Sequence, residues 1–248
     1  MNTNSNLYIF IYSSVLVIIV ATVLSFTAIS LQPRQEKNIR IEKMQNILTS
    51  VGIENTFENA ENLFSKYITQ RCIINSNGEL LNKKTNNEKI KGEDGFNVDL
   101  KIEIKKQQKD MKLPLFICTL NDGTKKIIIP VRGKGLWGPL WGYIALDDDY
   151  NTIYGAIFDH KSETPGLGAE INQSWFQEPF KNKKLFDKNK KFISINVHKG
   201  GIGSAKRAGD IDHGVDAISG GTITSKGLEK MLQDCLINYQ SYLLKNMK

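Results

Sequence analysis

From Leu7 to Leu31 the chain carries no Asp, Glu, Lys or Arg and is built mostly from Ile, Val, Leu, Phe, Ala and small hydroxyl residues. No other stretch limits the fold as strongly. Roughly 25 residues at ~1.5 Å rise span a ~30 Å hydrocarbon core with room for tilt. The stretch is too long for the apolar part of a signal peptide, and Met1 to Asn6 holds no Lys or Arg. Ala28-Ile29-Ser30 is only a faint cleavage site. The expectation is a single N-terminal membrane anchor over residues 1–32, ended by Pro33. Arg34, Lys37, Arg40 and Lys43 come after it and no basic side chain precedes it. The positive-inside rule therefore places the remainder of the chain in the cytoplasm, although long domains translocate largely regardless of flanking charge.

Beyond the anchor the composition suits a packed core. Of 248 residues, 40% are hydrophobic and 24% charged, which excludes global disorder. The net charge of +7 comes from scattered lysines without interleaved aromatics, and no nucleic-acid motif accompanies them. They read as solvated surface, so no nucleic-acid partner is expected. Cys72, Cys118 and Cys235 form no CxxC, so neither zinc nor an iron–sulfur cluster can be built on them, and buried free thiols are expected. His160, His198 and His213 are equally dispersed.

Two short helical patterns come after Pro33. Ile39, Met44, Ile47, Leu48 and Val51 run to Gly52, and Ala60, Leu63, Phe64 and Tyr67 share one face of Glu58–Ile68. Ile73–Gly95 reads as a strand and an exposed polar loop. Residues 33–95 are thus expected to be membrane-proximal, with 96–248 as the main domain. There, Val98, Leu100, Ile102 and Ile104 alternate with charged residues, the pattern of a half-buried strand. Further strands are expected at Leu113–Leu120, Ile127–Val131, Trp141–Leu146, Ile153–Phe158 and Phe192–His198, with a turn at Asn121-Asp122-Gly123. Ile171–Phe186 reads as a helix or helical turn. The fold class is α+β: a twisted, mostly antiparallel sheet with flanking helices.

Three segments carry chemistry. Asp216-Ala217-Ile218-Ser219-Gly220-Gly221-Thr222-Ile223-Thr224-Ser225 precedes a helical pattern of Leu228, Met231, Leu232, Cys235, Leu236, Tyr239, Tyr242 and Leu243. A glycine- and hydroxyl-rich turn feeding a helix start is a natural phosphate seat, and equally an ordinary helix cap. Gly133-Lys134-Gly135-Leu136-Trp137-Gly138 suits a loop approaching an anionic or planar ligand, or a glycine turn with a core tryptophan. In His160-Lys161-Ser162-Glu163-Thr164-Pro165-Gly166-Leu167-Gly168, Glu163 and Thr164 could offer an acceptor and a hydroxyl, while His160 alone suits a structural hydrogen bond.

Asp-x-x-Ser-Gly-Gly-Thr resembles the flavin-attachment motif Asp-x-x-Ser/Thr-Gly-Ala-Thr of FMN-binding domains in bacterial respiratory complexes. It departs at Gly221, where alanine is usual. Together with His-x-x-Glu-Thr-Pro-Gly-Leu-Gly it is similar to the FMN-binding subunits of the Na+-translocating NADH:quinone reductase (Nqr) and the Rnf electron-transport complex. Gly-Lys-Gly-Leu-Trp and the subsequent Trp-Gly-Tyr-Ile-Ala-Leu resemble the Nqr member of this pair, NqrC, rather than its Rnf counterpart, RnfG.

The resemblance implies covalent FMN, held by a phosphoester to the Thr222 hydroxyl and attached by a flavin transferase. It implies a membrane-anchored one-electron carrier between NADH-side cofactors and quinone, partnered by the other Nqr subunits. It also places the domain on the periplasmic face of a bacterial inner membrane, against the flanking charges. Leu136, Trp137 and Leu167 would face the ring. Ser219, Gly220, Gly221 and Thr224 would surround the phosphate, with Glu163, Thr164 and Gly166 nearby. No GxGxxG in a strand–helix context marks an NADH site, and one uncharged span offers no ion path, so dehydrogenation and pumping are expected in partners. Two alternatives remain: the Rnf-type subunit, and a non-redox anchored module that binds an anionic ligand reversibly.

Overall fold

A computed structural model describes residues 5–247. Residues 1–4, the start of the uncharged leader, and Lys248 lie outside the described residues. The chain divides into two compact units, Met1–Lys43 and Met44–Lys248.

Helix α1 (Asn6–Ser50) contains Pro33 in its interior, so the expected anchor and the helical pattern after Pro33 lie on one continuous helix. Proline fits helical φ, but inside a helix it removes one backbone hydrogen bond and its ring crowds the carbonyl four residues back, a local cost of about 3 kcal/mol that the helix here tolerates. Among the described residues this is the one helix long and apolar enough to cross a membrane. In the second unit its last turns bury Met44, Ile47 and Leu48, as their spacing predicted. Ile39 is exposed.

Helix α2 (Ala60–Tyr67) buries Ala60 and Phe64 and leads into β1 (Ile68–Ile74), which pairs with β2 (Leu80–Thr85). The polar stretch read as a strand plus loop therefore contains most of a hairpin. The next expectation fails: Val98–Ile104 is not a strand. Leu100–Glu103 is a single helical turn, α3, capped by the Asp99 carboxylate accepting from the Lys101 amide. Over so few residues an alternating pattern does not distinguish a strand from a turn of helix, and the aspartate cap decides. Only Leu100 of the apolar set is well buried; Ile102 is 58% exposed.

The remaining strands match the sequence pattern. They are β3 (Leu113–Thr119), β4 (Lys125–Lys134), β5 (Pro139–Leu146) and β6 (Ile153–His160). All pairs in the six-stranded sheet are antiparallel, in the order β2-β1-β3-β4-β5-β6. The β3–β4 connection turns at Gly123, whose φ is +82°. After β6 come short helical turns at Gly168–Asn172 and Glu178–Phe180, flanking α4 (Ser174–Gln177). The strand expected at Phe192–His198 shrinks to β7 (Asn196–His198). It leaves the main sheet and pairs in parallel with β8 (Gly214–Asp216). Between them lies α5 (Ser204–Arg207).

Helix α6 (Thr222–Leu236) lies against the sheet. Leu228, Met231, Leu232, Cys235 and Leu236 face the core with Leu115, Ile127, Ile129, Val131 and Ile144. A helical turn at Ile237–Tyr239 joins it to α7 (Gln240–Asn246), and the buried Tyr239 hydroxyl donates to the Pro114 carbonyl at 2.8 Å. Phe116, Ile128 and Ala145 pair across β3, β4 and β5 and are buried as well, so both faces of the central strands are covered. Cys72, Cys118 and Cys235 are free and buried, and burial pushes all three thiols up, to between about 11 and about 12.

Candidate functional site

Thr222 is the first residue of α6. Gly221 stands at the cap position and contributes no side-chain bond to the helix, so the amides of the first turn stay uncapped. Uncapped amides and the helix dipole favour an anion there by about 0.3–1 kcal/mol at an exposed site. Gly220 has φ +76°, and a Cβ on it would lie 2.6 Å from Leu167 Cδ2. Glycine meets both demands, the left-handed turn and the close approach of the loop. A Cβ on Gly221 would stand 3.0 Å from Ile218 Cγ2 and 3.2 Å from the Leu167 carbonyl carbon. The loop ending at Gly168 thus rests directly on the turn that opens α6. Ser219 and Gly220 are exposed and Thr222 is half-buried.

Asp216, which opens the motif, points elsewhere. Its carboxylate accepts from the Gly203 amide, the Ala205 amide and the Ser204 hydroxyl, capping α5. Partial burial pushes its carboxyl up, but the Ala205 and Gly203 amides outweigh this and leave it below the ordinary carboxylate value. Its neighbour Asp210 is held low as well, since bonds from His198 and Asn196 outweigh burial. Asp216 therefore holds the approach to the turn.

The second segment forms the β4–β5 turn, closed by the Gly135 amide donating to the Gly138 carbonyl at 2.8 Å. Trp137 is 67% exposed and Leu136 44% exposed, so the core-tryptophan alternative is overturned. The third segment supplies the link. Glu163 is 4% exposed, and its Oε1 accepts from the Trp137 amide at 2.8 Å and the Gly138 amide at 3.3 Å. Its Oε2 accepts from the Thr224 hydroxyl. His160 accepts the Glu163 amide at Nδ1, 3.1 Å away, the structural role its isolation suggested. Thr164 and Gly166 lie on the exposed rim of the loop. The Thr164 carbonyl accepts from the amides of Leu167 and Ala169, and the Gly166 amide donates to Glu170.

The three segments therefore converge, and Glu163 is the residue touching the other two. The motifs do not point to Ile223. Ile223 is 60% exposed between Thr222 and the buried Thr224, and joins Leu136, Trp137 and Leu167 as a large apolar side chain left in solvent around the site. A planar aromatic ligand with a phosphate tail fits such a set: apolar surface for the ring, uncapped amides for the phosphate. An open cleft of about 900 Å³ lies elsewhere, and includes Gly52, Asn55, Asn59, Gly155 and Gln177 in its lining. None of the three segments enters it.

Comparison with known proteins fits this geometry. Residues 135–237 match the FMN-binding domain family. The NqrC subunit of the Na(+)-translocating NADH-quinone reductase of Vibrio vulnificus is 31% identical over 223 residues, covering 86% of this chain and 83% of that protein. The same subunit from Neisseria meningitidis serogroup B is 34% identical over 221 residues, covering 86% and 82%. The crystal structure of the Parabacteroides distasonis homologue superposes with a TM-score of 0.72 at 37% identity, covering 86% of this chain and 96% of that one. NqrC of Shewanella oneidensis gives 0.66 at 26% identity, covering 84% and 97%. With its fold, its FMN-binding domain and relatives matched over most of their length, the chain belongs to the NqrC family, whose members are subunits of the Na+-translocating NADH-quinone reductase, an enzyme complex.

Proposed function

We propose that this chain carries FMN covalently, as a phosphoester on Thr222, and serves as a one-electron carrier between NADH-side cofactors and quinone within its complex. One observation separates the two threonines of the motif. The Thr224 hydroxyl is buried and committed to Glu163, whereas Thr222 is half-buried at the uncapped start of α6. Of the two, only Thr222 presents a hydroxyl beside free helix amides, where a phosphoryl group is electrostatically favoured. FMN, when bound, supplies reversible electron transfer. The chain's part is to hold it. The amides of the first turn of α6 and the Ser219–Gly221 turn would receive the phosphate. Leu136, Trp137, Leu167 and Ile223 would cover the ring from the apolar side, with Thr164 and Gly166 at the rim. A covalently held group needs no enclosing pocket, which suits a platform of exposed apolar side chains.

On this reading α1 anchors the chain in a bacterial inner membrane and the domain faces the periplasm, where a flavin transferase acts on it. Its other partners are the remaining subunits of the complex. The test is the full chain produced with a flavin transferase and resolved by denaturing electrophoresis. In-gel flavin fluorescence is expected from the native sequence and from Thr224→Val, and not from Thr222→Ala. A dark native chain, or a bright Thr222→Ala chain, contradicts the proposal.

A further inference from the structure

Glu163 is a buried carboxylate that accepts three hydrogen bonds, from the Trp137 amide, the Gly138 amide and the Thr224 hydroxyl. Three hydrogen bonds thus converge on its two oxygens from two segments remote in sequence, the β4–β5 turn and the first turn of α6. Space for the carboxylate is built in from two sides. A Cβ on Gly135 would lie 2.5 Å from Oε1, and a Cβ on Gly168 would lie 2.7 Å from Oε2. The residue's own backbone is fixed by the Glu163 amide donating to His160. The two groups it joins are far apart in sequence: Trp137 is 26 positions away and Thr224 is 61.

We propose that Glu163 is the positioning residue of the flavin site. It does not contact the flavin. Its two oxygens set the separation between the Leu136–Trp137 turn, which offers apolar surface, and the first turn of α6, which offers Thr222 and the free amides. This rests on the flavin reading given above. A site of this kind works only if its parts are held within about 0.5 Å, which needs supporting hydrogen bonds of the kind Glu163 makes. The short spacings at Gly135 and Gly168 have the same consequence: neither wall can move without displacing the carboxylate.

The experiment compares Glu163→Gln, Glu163→Ala and Thr224→Val in the full chain, produced with a flavin transferase and purified in detergent. Three properties are read: in-gel fluorescence for attachment, the visible circular dichroism that the protein induces in the flavin, and quenching of flavin fluorescence by iodide. Glutamine keeps an oxygen for the Trp137 and Gly138 amides, so Glu163→Gln retains attachment and most of the induced dichroism. Glu163→Ala leaves Thr222 and its motif intact, so attachment persists. Its induced dichroism collapses and iodide quenching rises several-fold. Thr224→Val, which removes one bond and no charge, lies between. A folded, flavin-loaded Glu163→Ala chain with native dichroism and native quenching overturns the proposal. If Glu163→Ala fails to fold, Thr224→Val decides: weakened dichroism upholds the tie and native dichroism refutes it. Failure of the flavin reading itself looks different, because the native chain would then carry no covalent fluorescence at all.

Discussion

Gly166 and Gly168 stand two residues apart in one loop, and the structure predicts different penalties for the same substitution. At Gly166 the φ is +76° and nothing lies within 4 Å of an added Cβ. Gly166→Ala meets only the left-handed backbone penalty of about 1–2 kcal/mol. At Gly168 the φ is not left-handed, but the added methyl would collide with Thr224 Oγ1 and lie 2.7 Å from Glu163 Oε2. Overpacking of a tight interior costs about 1–3 kcal/mol. Driving the two partners apart also weakens a buried hydrogen bond worth about 0.5–1.5 kcal/mol. Partial relaxation overlaps these costs, so about 2–4 kcal/mol is expected for Gly168→Ala. For a unit of this size each kcal/mol lowers Tm by roughly 2–4 °C, giving about 4–16 °C. Thermal unfolding of the full chain in detergent, monitored by near-ultraviolet circular dichroism, measures both variants. A Gly168→Ala chain no less stable than Gly166→Ala would refute the packing around Glu163.

The same structure sets other outcomes. Asp216→Asn should cost about 1–2 kcal/mol at neutral pH, the worth of a helix cap made by a charged acceptor. Because the folded chain holds this carboxyl below its ordinary value, its contribution is complete above the unfolded value of about 3.9 and fades as pH falls through the folded value. The gap between Asp216→Asn and the native chain should therefore narrow in acid, read by urea unfolding at several pH values; a constant gap would contradict the capping role. Tyr239→Phe leaves the Pro114 carbonyl buried without its donor and should cost about 1–3 kcal/mol by the same assay. A periplasm-active reporter fused after Lys248 should be active, and activity of a cytoplasm-dependent reporter there would instead favour the charges at Arg34, Lys37, Arg40 and Lys43.

The sheet was legible where strands are bounded by turn residues. β3 to β6 fall where apolar runs stop at Asn121-Asp122-Gly123, at Gly133–Gly138 and at Asp147–Asn151. The reading failed where the pattern was short or the decisive contact was distant. At Leu100–Glu103 four alternating positions fit a helical turn as well, and the Asp99 cap outweighed alternation. At Asn196–His198 the apolar run promised a longer strand, but its partner is a three-residue strand on the far side of α5. The three site segments were legible as motifs because glycines and hydroxyls cluster in them. What each residue does was not, since Glu163 looks like a ligand donor in sequence and becomes a tie between Trp137 and Thr224 only in three dimensions. Asp216 likewise belongs to the motif in sequence and to the α5 cap in space.

Covalent attachment requires one hydroxyl, that of Thr222. Trypsin cuts after Arg207 and Lys226, and the peptide from Ala208 to Lys226 holds Ser219, Thr222, Thr224 and Ser225 together. Fragmentation of that peptide by mass spectrometry, from native chain produced with a flavin transferase, reads the position of the flavin directly. The mass of FMN less one water is expected on Thr222 alone. The same mass on Ser219, Thr224 or Ser225, or a peptide without it, contradicts the account.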